Sequence, residues 1–586
     1  MRTLRAGPGT YGRVGRILYD LPYGRTDSLE KLLGSPPVRP RRTCRQMVAK
    51  PGNGLKLEAS SSDFGSSPKG GPPRPSPPEG SAGAAGRGGL AVAFAKVYFL
   101  LTGLLQQILL TRVLGTAGYG ALSTVLSFAS IAYNPVVTTS IQGVSRAVAG
   151  ARDDERQATI RKTLAIHAAL AIPVAVGFFV FAGFAMRTAN APHLVVPLRI
   201  LSLVLLFYGL YAPLVGVLNG QRRFVWQAAL DVLYATLRTI IMVGGAYLFA
   251  RIYHRGVEGA TVGFSTVSAI IVLFALVVAG TGKKGPAQVT LGGHLSYVAP
   301  LMLGQVLLNL LQQADLTLLR YFAGAAAARQ GMPLQGADPL VGAYRATQLF
   351  CFLPYQLLLS ITFVLFPLLA RAHRDGNQEQ VATFVRTGVR LAVVIAGAIV
   401  AVTSGLSGPL LRMVFPGDVE VLATRSMHLL TLGFGAFALF GIFTTVLTSL
   451  KRERASAAIT GLAFALVIAL GSVWMADQPL GSDLLYRTAV ATTVGLVLAT
   501  LVAAWAVRRT AKAVLAPTTL LRTCVALAVA VTVGRYWSPQ GMFVTVLAAI
   551  LVGGVYVAVL VASRELRVSD LQQLRAVIPR RSSRPS

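Results

Sequence analysis

The sequence predicts an all-α integral membrane protein with about 14 transmembrane helices: two six-helix lobes related by an internal repeat, plus two C-terminal helices. Three observations predict it. Hydrophobic residues make up 54% of the 586-residue chain and charged residues only 13%, whereas about a quarter of a soluble domain is charged. From Gly89 onward, apolar stretches of about 20 residues recur, the length a helix needs to cross about 30 Å of hydrocarbon. Between them sit short clusters of Lys and Arg that favour alternate sides.

Residues 1–88 come first and differ from the rest. They are rich in Gly, Pro, Ser and Arg, with no sustained apolar stretch and no apolar core of a signal peptide. They read as a disordered basic tail, with a tether to anionic lipid as the alternative. Met47 is a second candidate start, in which case residues 1–46 are not made. The predicted spans are then 91–111, 120–143, 163–185, 194–217, 228–250 and 258–280, forming an N-lobe over 89–285. The C-lobe, 286–510, holds 297–320, 341–368, 387–405, 427–449, 456–475 and 488–507. Spans 518–535 and 542–562 occupy 511–563, and 564–586 form a basic cytoplasmic tail. Lengths of this kind suit helices rather than barrel strands.

Lys and Arg total 55 against 22 Asp and Glu, a net charge of +33. In a soluble chain that balance suggests nucleic acid. Here it follows the loops instead, so no nucleic-acid partner is expected. With both termini cytoplasmic, the inside loops hold Arg146, Arg152, Arg156, Arg161 and Lys162, then Arg222 and Arg223, Lys283 and Lys284, Arg371, Arg374 and Arg386, Lys451, Arg452 and Arg454, and Arg508, Arg509 and Lys512. The outside loops hold scattered residues such as Arg187, Arg251, Arg255, Arg329 and Arg535. A missed span would invert every later loop, so the alternation supports the count.

The halves repeat at a spacing of roughly 225 residues. Ser145-Arg-Ala-Val-Ala-Gly-Ala-Arg-Asp-Asp-Glu-Arg-Gln-Ala-Thr159 resembles Leu369-Ala-Arg-Ala-His-Arg-Asp-Gly-Asn-Gln-Glu-Gln-Val-Ala-Thr383. Val217 to Arg223 parallels Val446 to Arg452. The offset covers six helices, an even number, so both copies have the same orientation and are related by an axis along the membrane normal.

Polar side chains at membrane depth face protein or water rather than lipid. Ser123, Ser127, Ser130, Asn134 and Thr138 lie on one face of the second span. They either line a cavity or bond back to the helix backbone. The seventh span carries Gln305, Asn309, Gln312, Gln313, Asp315, Thr317 and Arg320, the eighth Arg345, Gln348 and Gln356, and the first Lys96, Gln106 and Gln107. The fifth has Asp231 and Arg238, seven apart, which line a cavity or form a buried pair. Arg320 is expected to reach the outer interface, and Lys96 sits where it can reach the inner one. Arg345, in the first turns of its span, is the leading anion-binding candidate.

Catalytic and metal chemistry find no support. Gly280-Thr-Gly-Lys-Lys-Gly285 lacks the first glycine and the hydroxyl of a phosphate loop. The six histidines are scattered without ligand spacing, no Gly-x-Ser-x-Gly elbow occurs, and three distant cysteines form no framework. No cofactor is expected, and the chain does not read as an enzyme.

The stretch Gln107-Ile-Leu-Leu-Thr-Arg-Val-Leu-Gly-Thr-Ala-Gly-Tyr-Gly120, with Ser145-Arg-Ala, Gly216 to Phe224 and Asp231 through Tyr234 to Arg238, resembles the polysaccharide biosynthesis flippases of the multidrug/oligosaccharidyl-lipid/polysaccharide (MOP) exporter superfamily. The resemblance covers about residues 90–510. It implies a bacterial inner-membrane exporter of a polyprenyl-diphosphate-linked oligosaccharide, such as an O-antigen or lipopolysaccharide unit. Its partners would be that glycan, membrane lipid and other polysaccharide-assembly proteins. On this reading Lys96, Arg238 and Arg345 hold the diphosphate, while Asn134, Gln305, Asn309, Gln312, Gln313 and Gln348 hold sugars. Asp231 or Asp315 would couple an ion. A lipid II flippase, a multidrug or cation antiporter of the same fold, and a membrane-embedded glycan polymerase or ligase are the alternatives.

Overall fold

The computed structural model describes residues 81–513, 516–537 and 539–566. The expected tail up to residue 80 and Arg567, Arg575, Arg580 and Arg581 lie outside them. The regular elements are α1 (Ser81–Gly150), α2 (Arg156–Thr188), α3 (Val195–Gly220), α4 (Phe224–Tyr253), α5 (Gly256–Ala279), α6 (Leu291–Arg329), α7 (Asp338–Cys351), α8 (Leu353–Arg374), α9 (Gln378–Gly405), α10 (Ser407–Val414), α11 (Gly417–Ser449), α12 (Glu453–Met475), α13 (Ser482–Ala511), α14 (Pro517–Tyr536) and α15 (Met542–Ala562). Short 3₁₀ turns precede α3 and α7.

The span count is settled at α1. Its 60 residues from Ala91 to Gly150 would make a straight helix of about 90 Å, three times a bilayer core. Gly115 breaks it, with φ 68° and ψ 175°, a backbone angle that only glycine adopts without strain. Among the described residues, twelve helices are long and apolar enough to cross a membrane, and the broken stretch of α7 and α8 makes a thirteenth. The break at Gly115 divides α1 into two arms and brings the total to the 14 that the sequence predicts. Both ends of the described chain then emerge on one side, the terminal face; the other is the far face.

Each lobe buries its own hydrophobic core, one from Leu110 through Ala279 and the other from Leu311 through Leu560. The pairing of helices repeats between them. α3 packs on α5 as α11 packs on α13, α4 on α5 as α12 on α13, α2 on α3 as α9 on α11, and α1 on α4 as α6 on α12. The last two helices dock on α9, where the Tyr556 hydroxyl donates to the Val394 carbonyl at 3.1 Å. Phe181, Phe184, Val277, Leu521 and Phe543 point outward, as expected where acyl chains replace water as solvent. The lobes meet along the second arm of α1, which runs antiparallel to α6 and crosses α7.

Candidate functional site

At mid-depth the interface is polar. Asn134 on α1 donates to Asn309 Oδ1 on α6 at 2.8 Å, and Asn309 donates in turn to the Gln305 carbonyl at 2.9 Å. Gln312, almost one turn further along α6, donates to the Tyr355 hydroxyl at 3.3 Å. Gln313 points elsewhere. It is buried with Oε1 unpartnered and lines a mostly apolar cavity of about 250 Å³ with Phe128, Thr317 and Phe464. The amide row therefore divides between the lobe seam and its flank. Ser123, Ser127 and Ser130 are buried, and Ser130 bonds back to the Ser127 carbonyl.

The cations fall on either side of this seam. In the N-lobe, Lys96 pairs with Asp231 at 3.1 Å; Asp231 is thus the partner of Lys96, not of Arg238. Arg238 lies with its guanidinium 4.7 Å over the Phe264 ring, beside Tyr208 and Tyr234, whose hydroxyls touch, and its Nε has no hydrogen-bond partner. In the C-lobe, Arg345 donates to Gln348 Oε1 at 3.0 Å, and Gln348 donates to Asp315 at 2.8 Å. Asp315 is buried and also accepts from the Tyr344 hydroxyl and the Leu316 amide, both at 2.8 Å. Neither Arg238 nor Arg345 forms an ion pair with a carboxylate among the described residues. Tyr133, next to Asn134, lies within electrostatic reach of both. One guanidinium thus lies in each lobe at membrane depth, and Arg345 acts electrostatically on Asp315 through the Gln348 bridge.

Both faces are closed by contacts that sequence reading missed. At the far face Arg320 does not reach the outer interface as expected. It is fully buried and pairs with Asp338 at 2.5 Å, donating also to the carbonyls of Asn190 at 2.8 Å and Leu334 at 2.9 Å. Taken out of solvent, the guanidinium depends on this carboxylate and these carbonyls, and losing them would leave an uncompensated buried charge. His193 joins the same Asp338 at 3.1 Å, and Asn190 bonds the Tyr321 carbonyl at 3.0 Å. At the terminal face His167 and His294, 127 residues apart, meet at 3.1 Å, and Arg146 stacks 4.0 Å over Tyr297. The one available sequence signal was a histidine amid the apolar residues around position 167.

Residues 85–373 match the polysaccharide biosynthesis protein family. Over these residues, just under half of the chain, the sequence is similar to that family. Among solved structures, a lipid II flippase, MurJ, in an inward closed conformation aligns with TM-score 0.66 at 14% identity, over 81% of this chain and 99% of that one. An inward-facing MATE multidrug resistance transporter of the MOP superfamily aligns at 0.56 and 16%, over 71% and 96%. A mutant of the Vibrio cholerae MATE transporter VcmN aligns at 0.52 and 15%, over 73% and 98%. Curated protein sequences give no match. The chain is thus a multi-pass membrane protein that shares its fold with MurJ and the MATE transporters and is similar over residues 85–373 to the polysaccharide biosynthesis family. Its Gln107–Gly120 stretch supplies both Gly115, which turns α1, and Gly120, where α1 touches α7.

Proposed function

We propose that this protein is a flippase that moves a polyprenyl-diphosphate-linked oligosaccharide from the cytoplasmic to the outer leaflet of a bacterial inner membrane, by alternating access of its two lobes. The terminal face is the cytoplasmic one. A charged diphosphate glycan does not cross hydrocarbon unaided, so its carrier needs cations for the phosphates and amides for sugar hydroxyls, while the prenyl tail stays in lipid. The observation that carries this reading is the pair Arg238 and Arg345, flanking the Asn134–Asn309 bond without carboxylate partners. They take the diphosphate, with Asn134, Gln305, Asn309, Gln312 and Gln348 beside them for the sugars. Lys96 and Gln313, committed elsewhere in this closed form, join only when the lobes part.

Lipid II carries the same diphosphate and is the second reading; the same two arginines would serve it. Arg345→Ala and Arg238→Ala should each lower surface glycan export about tenfold or more, the cost of a lost charge-assisted bond, with Arg345→Lys intermediate. Unchanged export in Arg345→Ala overturns the site. Growth of cells depleted of their peptidoglycan flippase, restored by this chain, would select lipid II as cargo. The excess of cations over acids at the seam disfavours a cationic drug as cargo.

A further inference from the structure

α13 and α14 follow one another in the chain, yet α14 packs on α9 and α15 rather than along α13. The gap between the two helices opens at both ends. At the terminal face Arg386 on α9, Trp505 and Arg508 on α13, Lys512 at its C-cap and Pro517 on α14 line a cavity of about 450 Å³. Towards the far face Tyr486 of α13 and Leu527, Ala528 and Val531 of α14 line another of about 560 Å³. No residue of α1, α6, α7 or α8 lines either one, so this cleft is separate from the lobe seam.

Its chemistry changes with depth. Val497, Leu501, Trp505 and Arg508 follow at steps of four, four and three, which puts them on one face of α13. The first three are exposed and form an apolar wall that suits an acyl chain, with the indole at the interface depth it favours. Beyond Trp505 the wall ends in cations. Arg386, Arg508 and Lys512 gather at the mouth, no carboxylate lines it, and none of the three has an ion pair or hydrogen bond among the described residues. The neighbouring cluster differs: Arg390, one turn beyond Arg386, and Arg522 are both answered by Glu565, at 2.9 Å and 3.2 Å. Three like charges converging on one cavity repel, and an anion entering from outside the chain relieves that repulsion.

We infer that this cleft binds an anionic phospholipid of the terminal-face leaflet. The phosphate sits among Arg386, Arg508 and Lys512, where the planar guanidiniums match its oxygens and the ammonium adds a point charge. One acyl chain runs past Trp505 between α13 and α14. Since α9, α13 and α14 all contribute, the bound lipid ties the terminal helix pair to the C-lobe beside the Glu565 cluster. The inference needs only that the chain spans a membrane, and it holds whatever the cargo is.

Trp505 supplies the probe. With Trp226→Phe, Trp474→Phe and Trp537→Phe it is the sole tryptophan, and the full chain is placed in phosphatidylcholine nanodiscs holding a minor fraction of phosphatidylglycerol with brominated chains. Trp505 should be quenched beyond that lipid's share of the bilayer, whereas brominated phosphatidylcholine should quench in proportion to its share. Arg386→Gln, Arg508→Gln and Lys512→Gln should each raise the half-saturating fraction about fivefold; Arg508→Lys should raise it less. Arg454→Gln, which removes a cation from the first turn of α12 outside the cleft, should change nothing. Phosphatidylglycerol that quenches no more than phosphatidylcholine overturns the inference, as does an Arg454→Gln effect equal to that of Arg508→Gln, which would mark diffuse attraction. Loss of the excess quenching on adding inorganic phosphate at the lipid's concentration would make the site one for free anions and also overturn it. Native mass spectrometry of the chain with all four tryptophans should show phosphatidylglycerol retained by the parent and lost from Arg508→Gln; equal retention refutes the site.

Discussion

Gly120 on α1 and Gly342 on α7 bring the two lobes into backbone contact at the far face. A Cβ on Gly120 would fall 1.9 Å from the Asp338 carbonyl oxygen and 2.6 Å from the Gly342 amide nitrogen, and one on Gly342 2.1 Å from the Thr116 carbonyl oxygen. Backbone cannot rotate away as a side chain can, so the helices themselves must part. Gly120→Ala should destabilise the closed form by about 1–3 kcal/mol, as overpacking does, and raise thiol labelling of Ala337→Cys, a position fully buried beside Asp338. Gly103→Ala is the control. A Cβ there meets nothing within 4 Å, and the change should stabilise by up to about 1 kcal/mol. A Gly120→Ala protein that melts and labels like the parent would refute the close crossing.

The bond from Asn134 to Asn309 predicts non-additive effects. Asn309→Leu removes the acceptor and leaves the Asn134 amide unpaired, at about 1–3 kcal/mol. Replacing both with leucine leaves no orphan and should recover most of that loss. Thermal unfolding of the two single variants and the double one measures the coupling; simple additivity would show that the amides do not meet.

Arg320 is expected to behave as half of a buried pair. Arg320→Met leaves Asp338 with His193 alone and removes the donor of the Asn190 and Leu334 carbonyls, which should cost about 3 kcal/mol. Adding Asp338→Leu should restore much of it. A side chain that merely reached the membrane interface would tolerate Arg320→Met within about 0.5 kcal/mol, and chemical denaturation distinguishes the two.

Glu565 ties the C-terminal helices to α9. It accepts from Arg390 at 2.9 Å, Thr519 at 2.9 Å and Arg522 at 3.2 Å. Burial works to raise its pKa, but these partners outweigh it and hold the carboxyl below the usual carboxylate range. A depressed value means that the stabilisation is present above the unfolded-state pKa and lost as pH falls through the folded one. Thermal stability should therefore drop in acid, and Glu565→Gln should remove that part of the pH dependence while lowering stability at neutral pH. An identical acid profile in Glu565→Gln would rule out this carboxylate as its source.

Span positions were legible because they depend on local runs: about 20 apolar residues must cross lipid wherever the rest of the chain goes. Gly115, which breaks α1, falls in the gap left between the first two spans. Residue type at membrane depth marked Arg345, Asn309 and Asp315 as needing partners, but not which ones. Gln313 sits one position from Gln312, and about 100° of helix rotation sends it to another cavity. Arg320 looked like a residue at a span end; only the turn carrying Asp338, folding back over it, converts it to a buried ion pair.

By itself, the sequence determined an α-helical membrane protein of 14 spans in two repeated halves, because hydropathy and loop charge act over a few turns of chain. The tertiary structure decided that Asn134 meets Asn309 and His167 meets His294, 175 and 127 residues apart. It also decided that Asp231 takes Lys96 in preference to the nearer Arg238. Those pairings follow from how rigid helices dock, and a pattern with a period of about 3.6 residues holds no record of which distant face lies opposite.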